Sequence, residues 1–349
     1  MGTLGVLYCG PPTMDAKLTF DLPAIECPES RLFGYPTRVA DAWSPGVEAV
    51  VEKACVLPPS RMTFRIERGS TASLGIPAWS RNPLRRLRRR VAPLDLGHRI
   101  VMDLRGDGIT NYSLFITNAA EPTLVFRSLL RDLGPDAASL VVLLNGHAPR
   151  HASEGLDGMG IRWIATDAEA RGRIVFRSFE SERPAPFVFL PDLVPATGSD
   201  DGFSPERVFI NRRQSRCLAN EAEVVRFLEG RGFHCCTFEG MPLRRQWAML
   251  RRAREIVAIH GAGMINMLFN RLRSEGDGPK VVEIFPSGFK VTYFRYLVAA
   301  LHGHWCAVRA QLTPDVVRDL DERELPLSHA YDPIRVHVDS LVAALDYLA

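Results

Sequence analysis

The sequence contains no apolar run that approaches the roughly 20 residues needed for a helix to span a bilayer. Near its start only Leu4 to Tyr8 is apolar, with no basic lead-in before it and Pro11-Pro12 soon after it. This pattern is not typical of a signal peptide. Any membrane contact is therefore expected to be peripheral.

Cysteine patterns typical of metal or redox sites are also missing. The seven cysteines are irregularly spaced, and no two of them form a CxxC pair. Adjacent Cys235 and Cys236 lie in a predicted strand and are expected to pack in a core. We therefore predict no metal site and no cofactor, and a reducing cytoplasm as the location, with peripheral attachment at the inner membrane as the alternative.

Charge of one sign is not in excess. The 43 basic and 40 acidic residues leave a net charge of +3, which does not favour a nucleic-acid partner. One local cluster stands out, made of Arg85, Arg86, Arg88, Arg89 and Arg90. It either contacts anionic lipid or a phosphorylated acceptor, or it is a solvated surface loop.

The length and the residue composition of the chain predict two domains. Its 349 residues, 46% hydrophobic and 24% charged, are typical of a globular protein with more than one core. Residues 1–94 are rich in proline and are predicted to form an irregular layer on the first domain. Residues 95–195 are predicted to form that first domain, and 206–349 the second. Between them, residues 191–205 have the composition of a connection.

Short apolar strands alternate with helical periods from residue 98 onward, which predicts an α/β protein with two doubly wound, Rossmann-like domains. In the first domain we predict strands at 98–102, 139–144, 161–164 and 187–190, and a helix at 122–133. In the second we predict strands at 207–211, 234–238, 255–259, 280–285 and 305–309, with helices at 221–229, 243–253, from 264, at 293–301 and at 339–348.

Residues that follow strands are the best candidates for a ligand site, because open parallel sheets bind ligands at the carboxyl ends of their strands. One such segment is His260-Gly261-Ala262-Gly263, which precedes a helix containing Asn266. Two glycines allow close backbone approach to a phosphate, and the helix start offers unpaired N–H groups. A glycine turn between strand and helix is also an ordinary structural feature of α/β proteins.

Arginine side chains follow the first strand of the second domain. Arg212, Arg213 and Arg216 could reach a diphosphate at the same sheet edge, or they belong to a solvated basic loop. Glu283 lies within an apolar strand, where an unpaired carboxylate would be costly. Either a ribose diol or an internal arginine would satisfy it.

These segments, taken together, resemble the family 61 glycosyltransferases over roughly residues 98 to 310. The likeness rests on their order and spacing rather than on any single motif. The matching positions are 208–213, Asn220-Glu221, Gly232-Phe233, Gln246, Ala253, His260-Gly261-Ala262-Gly263, Asn266, Phe269 and Val282-Glu283.

The resemblance implies a two-domain fold of the GT-B type, with a nucleotide-sugar donor held by the C-terminal domain. It also implies inversion at the anomeric carbon without an obligatory metal, and a role in capsule or exopolysaccharide synthesis. The first domain departs from the family pattern, because Leu114 stands where members usually have a histidine. An inverting transfer needs a base, and Asp107 and Glu121 are the carboxylates available near this segment.

The sequence thus predicts an inverting glycosyltransferase that uses a nucleotide-diphosphate sugar and a glycan or lipid-linked glycan acceptor. Two alternatives stay open. One is a catalytically impaired, nucleotide-binding relative that serves as a binding or scaffold subunit. The other is a nucleotide-dependent enzyme of another kind, although the missing GxGxxG fingerprint disfavours an NAD enzyme.

Overall fold

The computed structural model describes residues 16–34, 48–72, 92–106, 108–132, 139–181, 189–195, 203–272, 278–288, 291–312, 316 and 329–349. The chain divides into two compact units. Unit 1 comprises Met1–Ala24 and Pro58–Pro195, and unit 2 comprises Ile25–Leu57 and Ala196–Ala349. None of the described helices is long and apolar enough to cross a membrane.

Unit 1 is built on a six-stranded mixed sheet with the order β1-β6-β10-β7-β8-β9. The strands β7, β8 and β9 are parallel, whereas β6 pairs antiparallel with both β1 and β10. Its strands are β1 (Ala16–Leu22), β6 (Ser60–Ala72), β7 (Leu94–Asp103), β8 (Leu140–Leu144), β9 (Trp163–Ala165) and β10 (Ala170–Ser181).

Helices of unit 1 follow the parallel strands. A single turn, Tyr112–Leu114, continues through a π-helix, Phe115–Ala120, into α1 (Glu121–Asp132). After β8 comes α2 (Arg150–Gly158), and a short 3-10 helix, Pro191–Leu193, lies near the end of the unit. The loops after β7 and β8 therefore lie at the carboxyl ends of parallel strands.

Unit 2 is built on a seven-stranded sheet with the order β12-β11-β13-β14-β15-β3-β4, in which only β4 runs antiparallel to its neighbour. A separate pair joins β2 to β5. These strands are β2 (Ile25–Cys27), β3 (Ser30–Gly34), β4 (Glu48–Glu52), β5 (Cys55–Leu57), β11 (Arg207–Asn211), β12 (His234–Thr237), β13 (Glu255–Ile259), β14 (Lys280–Phe285) and β15 (His304–Arg309).

The winding of this sheet reverses between β11 and β13. The chain passes from β11 to β12 on one side, and then returns to place β13, β14 and β15 successively on the other. Its helices are α3 (Glu221–Gly230), α4 (Leu243–Leu250), a 3-10 helix (Ala262–Phe269), α5 (Tyr293–Ala300) and α6 (Val338–Leu348). Such a reversal opens a crevice at the carboxyl ends of the two central strands.

The core of unit 2 explains why these segments form strands. Phe209, Val257, Val282 and Val308 are buried in one cluster, and Leu341 of α6 packs against them. Continuous β-branched and aromatic runs are typical of parallel strands covered on both faces. The mixed α/β architecture predicted from the sequence, with parallel sheets, is therefore confirmed.

The predicted irregular layer of residues 1–94 requires correction. Its described part forms regular strands, and these strands are divided between both units rather than packed on the first alone. In β6 the buried residues Met62, Phe64 and Ile66 alternate with positions that include the exposed Arg61 and Arg65. This period of two residues is typical of a half-buried strand.

The predicted strand 187–190 also requires correction where the structure describes it. Phe189 and Leu190 precede the 3-10 helix and belong to no strand, while residues 187 and 188 lie outside the described residues. The sequence pattern does not predict β10, because arginines and serines interrupt its alternation of apolar and polar residues. The five strands predicted for the second domain all occur, with bounds within one residue.

Candidate functional site

The carboxyl ends of β11 and β13 bring together most of the predicted donor-site residues. Arg212 follows the last residue of β11, and His260 follows the last residue of β13. The two strands are parallel neighbours, with Ile210 opposite Ala258. Both residues therefore lie at the crevice created by the reversal of winding.

Arg212 is held in place by oxygen atoms that carry no charge. Its Nε donates to the Ser215 carbonyl at 2.9 Å, and its Nη2 donates to the Ser215 hydroxyl at 2.9 Å. The side chain is half-buried. Within the described residues Arg212 forms no ion pair, so its positive charge is not neutralised by a carboxylate there.

Arg216 lies beside Arg212 and is buried. Its Nε donates to the Ala330 carbonyl at 2.5 Å, and its Nη1 donates to the His260 carbonyl at 2.9 Å. Burial, followed by the nearby charge of Arg212, lowers the pKa of the Arg216 guanidinium, and Tyr331 and Glu283 partly offset this. Two guanidinium groups are thus concentrated at one point of the sheet edge.

His260 is fixed by a fully buried carboxylate. Its Nδ1 is 2.5 Å from Oε1 of Glu283, and the other oxygen of Glu283 accepts from the Trp305 indole N–H at 2.9 Å. The imidazole also stacks on Phe285. Because Nδ1 faces Glu283, the Nε2 atom of the ring is directed away from that carboxylate.

The structure places Glu283 in the core, with partners that the sequence pattern did not predict. Its exposed fraction is 0%, so its side chain lies in the core and not at the surface. Its hydrogen bonds go to His260 and Trp305, and it also interacts with the nearby charge of Arg216. Glu283 therefore orients His260 from within the core, and nothing in the sequence pattern indicated Trp305 as the third member.

The glycines of the turn make room for side chains of the chain itself. A Cβ added at Gly261 would lie 1.7 Å from Nη1 of Arg212, and one added at Gly263 would lie 3.2 Å from Phe238. The backbone of Gly261 is extended, with φ of 165° and ψ of 174°, which any residue can adopt. Gly261 is thus required by the guanidinium that covers it, and not by a special backbone conformation.

Asn266 was predicted to contact the donor, and the structure places it elsewhere. Its exposed fraction is 0%. Its side chain accepts from the Trp247 indole at 3.0 Å and donates to Gln246 at 2.8 Å. Gln246 in turn donates to the Phe238 and Met241 carbonyls. Asn266 therefore anchors the 3-10 helix to α4 rather than reaching a ligand.

The remaining predicted donor residues lie at the rim. Arg213 is exposed, and its backbone N–H donates to the Glu239 carboxylate at 3.2 Å. Ala262 is half-buried at the start of the 3-10 helix. At the same edge the structure adds Arg309, which ends β15 and donates from Nε to the Ser287 carbonyl at 2.7 Å. Counting strand ends could have found Arg309.

Of the two predicted bases, the structure describes only Glu121, which is buried in unit 1. Glu121 is 2% exposed, and its Oε1 accepts from the Leu190 backbone N–H at 2.8 Å. Burial raises its pKa to about 8, against the opposing effect of the backbone N–H groups of Leu190 and Phe189. Its burial and its hydrogen bond to the backbone before the 3-10 helix fit a structural role. Asp107 lies outside the described residues.

The predicted membrane contact cannot be located, because Arg85, Arg86, Arg88, Arg89 and Arg90 lie outside the described residues. Within those that are described, no group of three or more His, Cys, Asp or Glu side chains is placed to hold a metal ion. The six cysteines that the structure describes are free thiols, and burial raises the pKa of Cys235 to about 11 and that of Cys236 to about 12.

Comparison with known proteins points to glycosyl transfer. The model of the family Glycosyltransferase 61 matches residues 138–275, which is under half of the chain and includes Arg212 to Asn266 but not Glu283. No curated protein matches the sequence. This family match supports glycosyltransferase activity.

One solved structure with some similarity to this chain is that of the dodecameric, iron-containing heptosyltransferase TibC in complex with ADP-D-beta-D-heptose. It shares 12% sequence identity, with 81% of this chain and 82% of that chain covered, at a TM-score of 0.31. A likeness this low carries no inference about the present protein.

Proposed function

We propose that this protein is a glycosyltransferase that binds the diphosphate of a nucleotide-sugar donor between the carboxyl ends of β11 and β13. The observation that carries the proposal is the pair Arg212 and Arg216, placed side by side where the winding of the sheet reverses. The side-chain hydrogen bonds of Arg212 end on the carbonyl and hydroxyl oxygens of Ser215, and a bound diphosphate would bring negative charge to this guanidinium.

Each residue at this edge has a separate role in the proposal. The Arg212 guanidinium, which lies over Gly261, contacts the diphosphate directly, and exposed Arg213 adds positive charge at the rim. His260 donates or accepts through Nε2 under the control of Glu283. Arg216 stabilises the turn after β13 by donating a hydrogen bond to the His260 carbonyl.

The same proposal extends to inversion without an obligatory metal. Guanidinium groups can neutralise the negative charge that develops on a departing nucleoside diphosphate. A divalent ion has this role in other transferases. We further propose a GT-B type of fold and a glycan or lipid-linked glycan acceptor in surface polysaccharide synthesis, as the resemblance to the family implies. In this proposal the donor is a substrate and no cofactor is used.

Calorimetry with UDP, GDP and ADP, with and without EDTA, tests the donor site. We expect one nucleotide to bind equally well in both conditions. The variant Arg212→Ala should weaken binding about 10- to 150-fold, the usual effect of removing a hydrogen bond to a charged group. The matched control is Arg207→Ala, at the opposite end of the same strand, where Arg207 pairs with Glu255 at 3.0 Å.

The outcomes separate the alternatives. Failure of every nucleotide to bind, or loss of binding in EDTA, would contradict the proposed site. Equal losses in Arg212→Ala and Arg207→Ala would show a general electrostatic effect instead of a local contact. Binding without release of nucleoside diphosphate from any nucleotide sugar would favour the non-catalytic relative.

A further inference from the structure

Two cysteines face each other in the two-stranded sheet of unit 2. Cys27 in β2 is the register partner of Cys55 in β5, and the two strands run antiparallel. The neighbouring register pair, Glu26 with Val56, is exposed, whereas Cys27 is buried. Since successive side chains of a strand point to opposite faces, both thiols lie on the inner face of this sheet.

The spacing of the two strands suits a disulfide without movement of the backbone. Residues directly opposite each other in an antiparallel pair have Cα atoms about 4.5 or 5.5 Å apart. Both values lie within the range of roughly 4.4–6.8 Å that disulfide-bonded cysteines show. Cys27 and Cys55 are free thiols in the structure. They therefore form a dithiol that can be oxidised in place.

Arg295 of α5 fixes the chain next to both thiols. Its carbonyl oxygen lies 4.0 Å from Sγ of Cys27. Its Nη2 donates to the carbonyl of Pro28, which follows Cys27 directly, and at 2.9 Å to the carbonyl of Lys53, two residues before Cys55. The two segments are thus held together before any oxidation, which raises the effective concentration of one thiol at the other.

The two thiols differ in their access to solvent. Cys27 is 2% exposed and Cys55 is partly exposed, so a reagent in solution meets Cys55 first. Burial, followed by the charge of Cys55, raises the pKa of Cys27 to about 12. The contribution of Cys55 disappears once its sulfur is blocked. Cys27 then ionises more readily and can attack the blocked sulfur.

We propose that Cys27 and Cys55 form a redox clasp, which a low-molecular-weight disulfide such as glutathione disulfide closes to an internal disulfide. The Cys55 thiolate attacks one sulfur of the small disulfide, whose S–S bond breaks, and one thiolate leaves with the electron pair. Cys27 then loses its proton and attacks Sγ of Cys55, and the second thiolate leaves. The protein gives up two electrons and two protons, and the small disulfide becomes two thiols.

The clasp closes the base of a segment that belongs to unit 2. The chain is part of this unit from Ile25 to Leu57, between two stretches of unit 1. Residues 28–54 carry β3, which pairs with β15, and β4, which is the edge strand of the large sheet. A bond across the base of this segment restricts the unfolded chain, so the oxidised protein should unfold at a higher temperature. This device is independent of glycosyl transfer.

Mass spectrometry of the full-length protein tests the clasp. The reduced protein is incubated under native conditions with glutathione disulfide, its remaining thiols are alkylated, and the non-reduced peptides are mapped. We expect the Cys27 peptide to be linked to the Cys55 peptide, and dithiothreitol should remove the link. In Cys27→Ser, the reaction should stop at a glutathione adduct on Cys55. In Cys55→Ser, Cys27 should remain a thiol.

Cys235 and Cys236 provide the matched control, because they also lie in a strand of unit 2. Adjacent strand residues point to opposite faces, so these two should not become linked. The variant Cys235→Ser should keep the link between Cys27 and Cys55. Oxidation should raise the thermal unfolding midpoint of the wild-type protein by several degrees and leave that of Cys55→Ser unchanged.

Absence of the link between Cys27 and Cys55 in folded wild-type protein would overturn the proposal. A glutathione adduct that persists on wild-type Cys55 would do the same, because it would show that Cys27 does not reach that sulfur. Links from either residue to other cysteines in equal yield would mean that oxidation is not directed by the strand pairing. An unchanged or lower midpoint in the linked protein would contradict a bond that fits the native structure.

Discussion

The carboxyl edges of the two sheets hold their arginine side chains with different partners. In unit 1, Arg105 follows β7 and is neutralised by Asp103, with Nη2 at 2.6 Å from Oδ2 and Nε at 2.8 Å from Oδ1. In unit 2, Arg212 follows β11 and is held by the carbonyl and hydroxyl oxygens of Ser215. The first arginine completes a structural pair, and the second keeps a charge that an anion can use.

The same contrast applies to the buried carboxylates. Glu283 in unit 2 has a side-chain donor for each oxygen, whereas Glu121 in unit 1 binds backbone N–H groups and has a pKa raised to about 8. The edge of unit 2 thus keeps a guanidinium that no described carboxylate neutralises, whereas unit 1 pairs Arg105 with a carboxylate and favours the neutral form of Glu121. Substitutions at Glu283, Glu121, Gly261 and Leu114 test this difference, with expected effects at neutral pH that decrease in that order.

Replacing Glu283 should have the largest effect on stability. Glu283→Ala leaves the His260 and Trp305 donors buried without their acceptor, and should lower the free energy of unfolding by about 3–5 kcal/mol. Urea denaturation measures this change. Trp305→Phe removes only one of the two donors and should lower it by about 1–2 kcal/mol. Similar small losses in both variants would mean that Glu283 is not the centre of the network.

Glu121→Gln should stabilise the protein only at high pH. Burial raises the pKa of Glu121 from 4.5 to about 8, so above pH 4.5 the folded state holds a proton that the unfolded state has lost. Wild-type stability therefore falls as the pH rises from about 4.5 to about 8. Glutamine keeps an acceptor for Leu190 and avoids this cost, so its advantage should reach about 5 kcal/mol at pH 9.

Thermal unfolding of wild type and Glu121→Gln across pH 5 to 9 measures this advantage. Exposed Glu169→Gln in the same unit is the control and should show no pH-dependent gain. A constant difference between Glu121→Gln and wild type at all pH values would contradict the buried, protonated carboxyl. Because Glu121 is no longer assigned as the base, the variant should keep the wild-type rate of transfer.

Gly261→Ala should act through Arg212 alone. The added methyl group would occupy the position of Nη1, and the flexible arginine must move away while the extended backbone is retained. Both Gly261→Ala and Arg212→Ala should weaken nucleotide binding by about 1.5–3 kcal/mol. The double variant should be no weaker than Arg212→Ala, since the two substitutions remove one interaction. Additive losses would show that Gly261 itself contacts the ligand.

Leu114→Ser should have the smallest effect. Leu114 is 45% exposed on the turn before the π-helix. It stands where the resemblance to the family implies a histidine. Its replacement should change the free energy of unfolding by less than about 0.5 kcal/mol. Nucleotide affinity should also stay at the wild-type value, because the proposed anion site lies in unit 2. A large loss of affinity would mean that unit 1 contributes to the donor site.

The sequence predicted unit 2 more accurately than unit 1, for a physical reason. Parallel strands such as Val281 to Phe285 are buried on both faces and read as continuous apolar runs between helical periods. The long strand β10 pairs antiparallel with β6, and its arginines and serines interrupt the apolar pattern by which a strand is recognised. Pairing between residues as distant as Arg61 and Glu180 cannot be read from local pattern.

The site residues show the same division. Strand ends predicted that Arg212, Arg213, Arg216 and His260 lie at one sheet edge, because the carboxyl edge of a parallel sheet is fixed by the order of strands and helices. The same reasoning predicted ligand contacts for Asn266 and Glu283, whereas the structure buries both side chains in the core. Whether a polar side chain faces a crevice or the core depends on neighbours such as Trp247 and Trp305, which approach only after folding.

The sequence by itself determined the α/β class, the strands of the second domain and the edge of the sheet that carries its basic residues. Only the tertiary structure decided which of these groups keep their charge at the surface. Strand and helix patterns depend on the local periodicity of apolar residues, which can be read directly from the sequence. The partner of a buried charge, as in the pairs His260 with Glu283 and Arg105 with Asp103, depends on burial and on side-chain direction, and for His260 also on contacts 23 residues apart.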